Sequence, residues 1–146
     1  MAEGRDATSA GTIEVRQRAG SKLTARGTDS RGIAVYQPGA GLASVISAGE
    51  IDVNGDNAWG ILAWARNATS TADVRVEQSE TGRITAQGPS ATGIFALQEG
   101  SGQVDTVVRG GVKAQGDDAM GLLTVLSASL SNARATMVID PTASVE

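Results

Sequence analysis

Apolar and polar residues alternate with a period of two over short stretches of this chain, and the same stretches return at intervals. Four of them superpose without gaps. They are Leu23-Thr24-Ala25-Arg26-Gly27 followed by Gly32-Ile33, and Ile51-Asp52-Val53-Asn54-Gly55 followed by Gly60-Ile61. The other two are Ile84-Thr85-Ala86-Gln87-Gly88 followed by Gly93-Ile94, and Val112-Lys113-Ala114-Gln115-Gly116 followed by Gly121-Leu122. The second glycines stand at 32, 60, 93 and 121, so the intervals are 28, 33 and 28 residues. Period-two alternation puts every second side chain on one face of a strand, which predicts a strand A before the first glycine and a strand B from the second. A helix is excluded because glycine recurs every few residues, each costing about 1 kcal/mol against alanine in a helix interior.

A third alternating segment, strand C, lies between copies at 43–47, 72–76, 104–108 and 133–139, and a further one at 12–16 precedes the first copy. The piece that varies is the B-to-C connection, 37–41 in one copy against 66–71 in the next. Between strands A and B stand Asp29, Asp56-Asn57, Pro89-Ser90 and Asp117-Asp118, all turn-forming types. Gly27, Gly55, Gly88 and Gly116 fall where a corner needs positive φ or close backbone approach. Three short strands per period, with equivalent residues returning, predict an all-β chain: a parallel β-helix, or solenoid, of about four coils spaced ~4.8 Å apart. The chain reads as one segment over 1–146 with repeat units of about 20–48, 49–81, 82–110 and 111–140. An antiparallel β-sandwich of hairpins would explain short strands but not the returning columns. In the stacked arrangement Lys22, Glu50 and Arg83 become vertical neighbours of alternating sign.

Composition agrees with a narrow interior. The 146 residues include 19 Gly and 40% hydrophobic residues but only two Trp, one Tyr and one Phe, so Ala, Val, Ile and Leu must fill the core. With no His and no Cys there is no His-assisted nucleophile, no zinc site of the usual type, no thiol chemistry and no disulfide. Twelve Lys and Arg against 16 Asp and Glu give a net charge of −4 with both signs interspersed. A nucleic-acid partner needs a clustered basic patch and is not expected. No apolar run approaches the roughly 18 residues of a membrane helix, so no direct membrane insertion is expected of this segment. The charged start at residues 1–6 has no apolar stretch of a signal peptide. No catalytic residue, cofactor or metal is expected.

The run Gly82-Arg83-Ile84-Thr85-Ala86-Gln87-Gly88, then Gly93-Ile94-Phe95-Ala96, then Gly102-Gln103-Val104-Asp105-Thr106-Val107-Val108, resembles the passenger repeats of bacterial autotransporters (type V secretion) and related surface adhesins. The resemblance extends over about 11–139. It implies a right-handed β-helix displayed on the bacterial cell surface, a non-catalytic structural or adhesive segment of a longer passenger. The implied partners are a host or cell-surface glycan or protein, or adjoining β-helix coils. Two alternatives stay open: a piece of a β-helical polysaccharide-acting enzyme whose active residues lie elsewhere, and a stand-alone solenoid that binds a glycan.

The sharpest candidate site is an apolar stripe. Strand B residues that alternate with the interior should face outward, yet they are Ala34 and Tyr36, Leu62 and Trp64, Phe95 and Leu97, Leu123 and Val125, with Trp59 and Met120 just before the B glycine. A contiguous apolar patch marks a binding surface, and aromatic rings stack on sugars. The candidate binding residues are therefore Tyr36, Trp59, Trp64, Phe95 and Leu97. The competing expectation is that B-to-C loops or a flanking segment cover part of the stripe.

Other motifs read as structure. Asp117-Asp118 occupies the same turn slot as Asp56-Asn57 and Pro89-Ser90, so paired-carboxylate or calcium chemistry is the weaker reading. β-Helical pectin hydrolases carry a Gly-His-Gly element, which a chain without His cannot supply. Arg75, Arg109 and Arg134 fall on outward strand C positions with few acids in register and read as solubility. The strand A column Thr24, Asp52, Thr85, Lys113 is not the threonine ladder of ice-binding solenoids, and Asn54-Gly55-Asp56-Asn57 is a lone echo of calcium-binding nonapeptides. Asn67-Ala68-Thr69 fits a glycosylation triplet weakly. No capping helix is visible in 1–10, and 126–134 is ambiguous between a loop and a short helix, so open edges are expected to promote association at high concentration.

Overall fold

A computed structural model describes residues 1–4, 9–127 and 133–146, and among them every regular element is a strand. In chain order these are β1 (Ala2–Glu3), β2 (Ile13–Gln17), β3 (Lys22–Arg26), β4 (Arg31–Gln37), β5 (Leu42–Ser47), β6 (Glu50–Asn54), β7 (Trp59–Ala65) and β8 (Asp73–Gln78). There follow β9 (Arg83–Gln87), β10 (Thr92–Gln98), β11 (Val104–Val108), β12 (Gly111–Gln115), β13 (Met120–Leu126), β14 (Ala135–Ile139) and β15 (Ser144–Val145). They stack as three parallel five-stranded sheets, β1-β4-β7-β10-β13, β2-β5-β8-β11-β14 and β3-β6-β9-β12-β15. The chain is thus a parallel β-solenoid of about four turns, three strands per coil. Strands A are β3, β6, β9 and β12, and strands B are β4, β7, β10 and β13. The two-residue strands β1 and β15 extend the stack beyond the four repeats. The ambiguous stretch 126–134 falls largely on 128–132, outside the described residues.

One-to-one register carries each residue onto its equivalent in the next coil. Leu23, Ile51, Ile84, Val112 and Val145 form one interior column, and Ile33, Ile61, Ile94 and Leu122 another. Ile51 and Ile61 are 0% exposed, and such burial stabilises by about 1.5–3 kcal/mol for each large aliphatic side chain. Two residues along the same strands, on the same interior face, stand the smaller Val35, Ala63 and Ala96, which keep the tube narrow. The charge column is present as expected: Lys22 lies beside Glu50 and Glu50 beside Arg83. Lys22 Nζ reaches Glu50 Oε1 at 2.7 Å, whereas Arg83 donates to the carbonyls of Glu80 and Gly82. Exposed pairs of this kind contribute little.

The A-to-B corner explains the first glycine. Gly55, Gly88 and Gly116 have φ of 152°, 122° and 138°, and a Cβ on each would strike the carbonyl of the equivalent glycine one coil earlier. Two residues on, Asp29, Asn57, Ser90 and Asp118 all adopt φ of 53–57°, the left-handed region that Asp and Asn tolerate best among side-chain-bearing residues. Asp117-Asp118 is therefore a turn in the place where the other coils also turn. Asn57 Nδ2 donates to Asp29 Oδ1 at 2.6 Å, so the corners stack through side chains as well as backbone.

Two expectations about strand C and its turns are corrected. The second and fourth copies begin later than 72 and 133, because Ala43 pairs with Val74 and Val104 with Ala135. A slip of two residues leaves every side chain on the same face, so alternation alone could not detect it. The variable piece is also not the B-to-C connection alone. That connection runs over 38–41, then 66–72, then 99–103, and the C-to-A turn alternates as well: 18–21, 48–49, 79–82, 109–110 and 140–143. Short and long coils thus alternate, and Lys22, Arg83 and Ser144 share one column at a spacing of 61 residues.

Buried glutamines join unlike coils. Gln37, Gln78 and Gln98 are 0% exposed. Gln98 Nε2 donates to the Ala72 carbonyl of the preceding coil while its Oε1 accepts from the Gly100 N–H at 2.9 Å, and Gln78 Nε2 donates to the Gly111 carbonyl at 2.8 Å. A buried amide left without such partners would cost about 1–3 kcal/mol.

The glycine corners give a graded prediction. Gly27 has φ of 110° but open space where its Cβ would stand, whereas Gly88 meets the Gly55 carbonyl. Gly27→Ala is expected to cost about 1–2 kcal/mol of backbone strain, and Gly88→Ala a further ~1–3 kcal/mol for the clash. Urea unfolding of both variants checks this; equal losses would contradict the coil-on-coil contact.

Candidate functional site

The outer face of the sheet formed by strands B carries the stripe. Its columns in register are Arg31, Trp59, Thr92 and Met120; Ala34, Leu62, Phe95 and Leu123; and Glu3, Tyr36, Trp64, Leu97 and Val125. The structure brings the five candidate residues onto this single face. Ala34, Tyr36 and Leu62 form an apolar cluster separate from the interior core, with Trp59, Trp64 and Phe95 packed against it. The solenoid wall here has apolar layers on both sides.

The members differ in accessibility. Tyr36 is only 8% exposed, Leu62 3% and Ala34 2%, while Trp59, Trp64, Phe95 and Leu97 are half-buried. The Tyr36 and Trp64 rings lie 5.9 Å apart at a 52° tilt, a favoured aromatic pairing. Part of the cover comes from two arginines. The Arg31 guanidinium sits 5.1 Å from the centre of the Trp59 ring, and that of Arg66 5.5 Å from Trp64. Each cation–π contact is worth about 0.5–1 kcal/mol at a partly exposed site. Arg66 opens the B-to-C connection, so the expectation that this connection covers part of the stripe holds for its first side chain. Trp64 Nε1 is shielded from solvent and has no hydrogen-bond partner.

Beside the rings the surface is indented. A cleft of about 360 Å³ is lined by Tyr36, Pro38, Arg66, Asn67, Glu99 and the start of the chain at Glu3 and Gly4. A second, of about 280 Å³, shares Glu3, Tyr36 and Arg66 and reaches Arg31 and Trp64. Glu99 Oε2 accepts the Asn67 N–H at 2.8 Å, and Asn67 Oδ1 accepts from the N–H and hydroxyl of Thr69 at 3.2 Å. Aromatic faces flanked by guanidinium, amide and carboxylate groups can hold a polar ring or a peptide side chain by stacking and hydrogen bonding. Arg31, Arg66, Glu3, Asn67 and Glu99 were not among the expected site residues. Arg31 had a legible signal, since it stands one residue before its glycine as Trp59 does one coil on. Arg66 and Glu99 each stand six residues after their strand B glycine, one residue past the strand, where the apolar alternation that marked the stripe has ended.

Elsewhere the chemistry is structural. Glu77 accepts from Arg75 at 3.2 Å and from Arg109 at 2.6 Å, so these two arginines share one carboxylate that is out of register with both. Among the described residues no three acidic side chains converge on a cation-sized site. No protein-family model, curated protein or solved structure matches the chain.

Tyr36 is the only tyrosine, and burial pushes its phenol above the ordinary 10.0, reinforced by Glu3 and opposed by Arg31 and Arg66. The folded-state value lies above the unfolded one. The stability from the neutral phenol is therefore fully present below about pH 10 and lost as pH rises through the folded value. An ultraviolet difference titration is expected to give one phenolate transition above pH 10; a midpoint at or below 10 would show the ring exposed.

Proposed function

We propose that this chain is a structural and adhesive segment of a bacterial cell-surface β-solenoid of the autotransporter-passenger kind, acting outside the cell without catalysis. The observation that supports this reading is the aromatic face on strands B. It is an array of Trp59, Trp64, Phe95 and Leu97, half-buried on the outside of a wall whose interior is already filled. A solenoid needs no second apolar layer for its core, and a partly exposed one is a docking surface.

The partner favoured by the site's chemistry is a surface glycan. Trp59, Trp64 and Phe95 offer partly exposed ring surface, and Arg66, Asn67 and Glu99 line the adjoining cleft. Rings that stack and planar groups that hydrogen-bond are the two requirements for holding a sugar. The rod supplies the rest of the mechanism: coils held by backbone hydrogen bonds keep the columns of the face in register while a load is applied.

Glycan-array binding by the purified chain tests this reading. At least one carbohydrate class is expected to bind, with acrylamide quenching of tryptophan fluorescence reduced on binding. Trp64→Ala is expected to weaken that binding about tenfold, roughly 1.4 kcal/mol, with the far-ultraviolet circular dichroism retained. Absence of binding to any glycan, or undiminished binding by folded Trp64→Ala, would refute it.

A further inference from the structure

Arg31 and Arg66 stand on the aromatic face without an acid to neutralise them. Arg31 opens β4 and Arg66 follows β7, and both are exposed. Elsewhere Arg16 lies against Glu14, Lys22 against Glu50, Arg75 and Arg109 against Glu77, and Lys113 against Glu146. No ion pair among the described residues involves Arg31 or Arg66. Each guanidinium lies instead against a tryptophan, Arg31 at 5.1 Å from the Trp59 ring centre and Arg66 at 5.5 Å from that of Trp64. Both contacts are made within and beside β4 and β7, two adjoining strands inside the sheet.

The two cations also share one place. Both guanidiniums line the cleft of about 280 Å³ that reaches Tyr36 and Trp64. Burial raises the Tyr36 phenol, and both arginines oppose that rise while Glu3 adds to it, so all three charges act on one ring. Glu3 is the carboxylate lining that cleft, beside Tyr36 in the register. Glu99 lines the neighbouring cleft, where its Oε2 is engaged by the Asn67 N–H at 2.8 Å. Two guanidiniums against one carboxylate make the cleft's side chains net positive, on a chain whose net charge is −4.

An arginine seated on an indole has two effects on a ligand that stacks there. It covers ring surface, and it keeps a planar fork of N–H donors beside that surface. A neutral sugar that reaches the ring has to displace the guanidinium and forfeits the cation–π contact. A sugar carrying a carboxylate displaces the guanidinium onto that carboxylate. The charge-assisted, bidentate pair so formed is stronger than the exposed cation–π contact it replaces. A carboxylate is planar like the fork, and on a uronic-type ring it projects from the ring edge. One ligand can therefore meet the tryptophan with its face and the arginine with its edge.

We infer that Arg31 and Arg66 make the aromatic face selective for carboxylated saccharides, covering Trp59 and Trp64 when the face is empty and pairing with the ligand's carboxylate when it is filled. This selectivity rests on the face being a glycan site, and it adds the charge of the glycan. Glu3 works against it.

Matched oligosaccharides read the charge directly. An oligogalacturonate and its carboxyl-reduced counterpart share rings and linkages, as do a sialylated oligosaccharide and its carboxyl-reduced form. Binding to the full chain is followed by tryptophan fluorescence. At about 50 mM salt at least one acidic member is expected to bind about tenfold tighter than its neutral counterpart. The ratio is expected to shrink at about 0.5 M salt, where exposed charges are screened within a few ångströms. In the double variant Arg31→Gln with Arg66→Gln the ratio is expected to fall to within about twofold of one. Acrylamide quenching of that variant without ligand is expected to exceed the parent's, because the rings lose their cover. Glu3→Gln is expected to raise the ratio about twofold. Circular dichroism checks that each variant keeps its strands. Equal binding of acidic and neutral members overturns the selectivity and leaves the glycan reading standing, whereas no binding of any member removes both. An undiminished ratio in the folded double variant also overturns it. So does tighter binding of a dextran sulfate oligosaccharide or a glutamate-rich peptide than of every carboxylated saccharide.

Discussion

Everything in this structure depends on one constraint: each coil is hydrogen-bonded to the next, residue on equivalent residue. The pairing does not stop at the strands. The N–H of Gly27, Gly55 and Gly88 each donates to the coil that follows, to the carbonyls of Asn54, Gln87 and Gln115, and so do those of Asp29, Asn57 and Ser90 two residues on. A corner that is itself a rung of the ladder cannot change shape in one coil alone. That is why the left-handed residue recurs four times, and why a side chain at Gly88 would have to displace the backbone of its neighbour.

The same constraint produces the two-coil unit. Coils of unequal length can stack only if the extra residues lie over connections that make room for them. The buried glutamines and the paired glycines of the short connection are that accommodation. The buried amide N–H groups are tolerated because each donates to a fixed carbonyl of the coil next door, while Gln78 Oε1 has no protein partner.

Strands A and B, the corner glycines and the stacked charge column were legible in the sequence because the A-to-B corner has constant length. A fixed spacing turns period-two alternation into an alignment. Strand C was less legible, since its flanking connections vary and a two-residue slip preserves the faces of Val74 and Val76. The two-residue strands β1 and β15 are too short to carry a pattern. For the candidate site, Trp59, Trp64, Phe95 and Leu97 could be placed on the outer face from register alone. The burial of Tyr36 could not, because it comes from neighbouring rings and from packing across columns. The stacking of Arg31 and Arg66 on the tryptophans depends on side-chain direction, which spacing does not encode.

On the adhesive reading, the aromatic face is assembled by the register that aligns its columns, so the register is the claim to test first. The chain has no cysteine, which makes disulfide mapping direct. Asn54 pairs with Gln87 one coil away, and Gln87 with Gln115 in the next. Adjacent coils hold Cα atoms near 4.8 Å, within bridging range, whereas two coils exceed the limit of about 7 Å. Under mild oxidation the double variant Asn54→Cys with Gln87→Cys is predicted to form an intramolecular disulfide, and Asn54→Cys with Gln115→Cys to remain reduced. Efficient bridging of 54 to 115, or none of 54 to 87, would contradict the stacked solenoid.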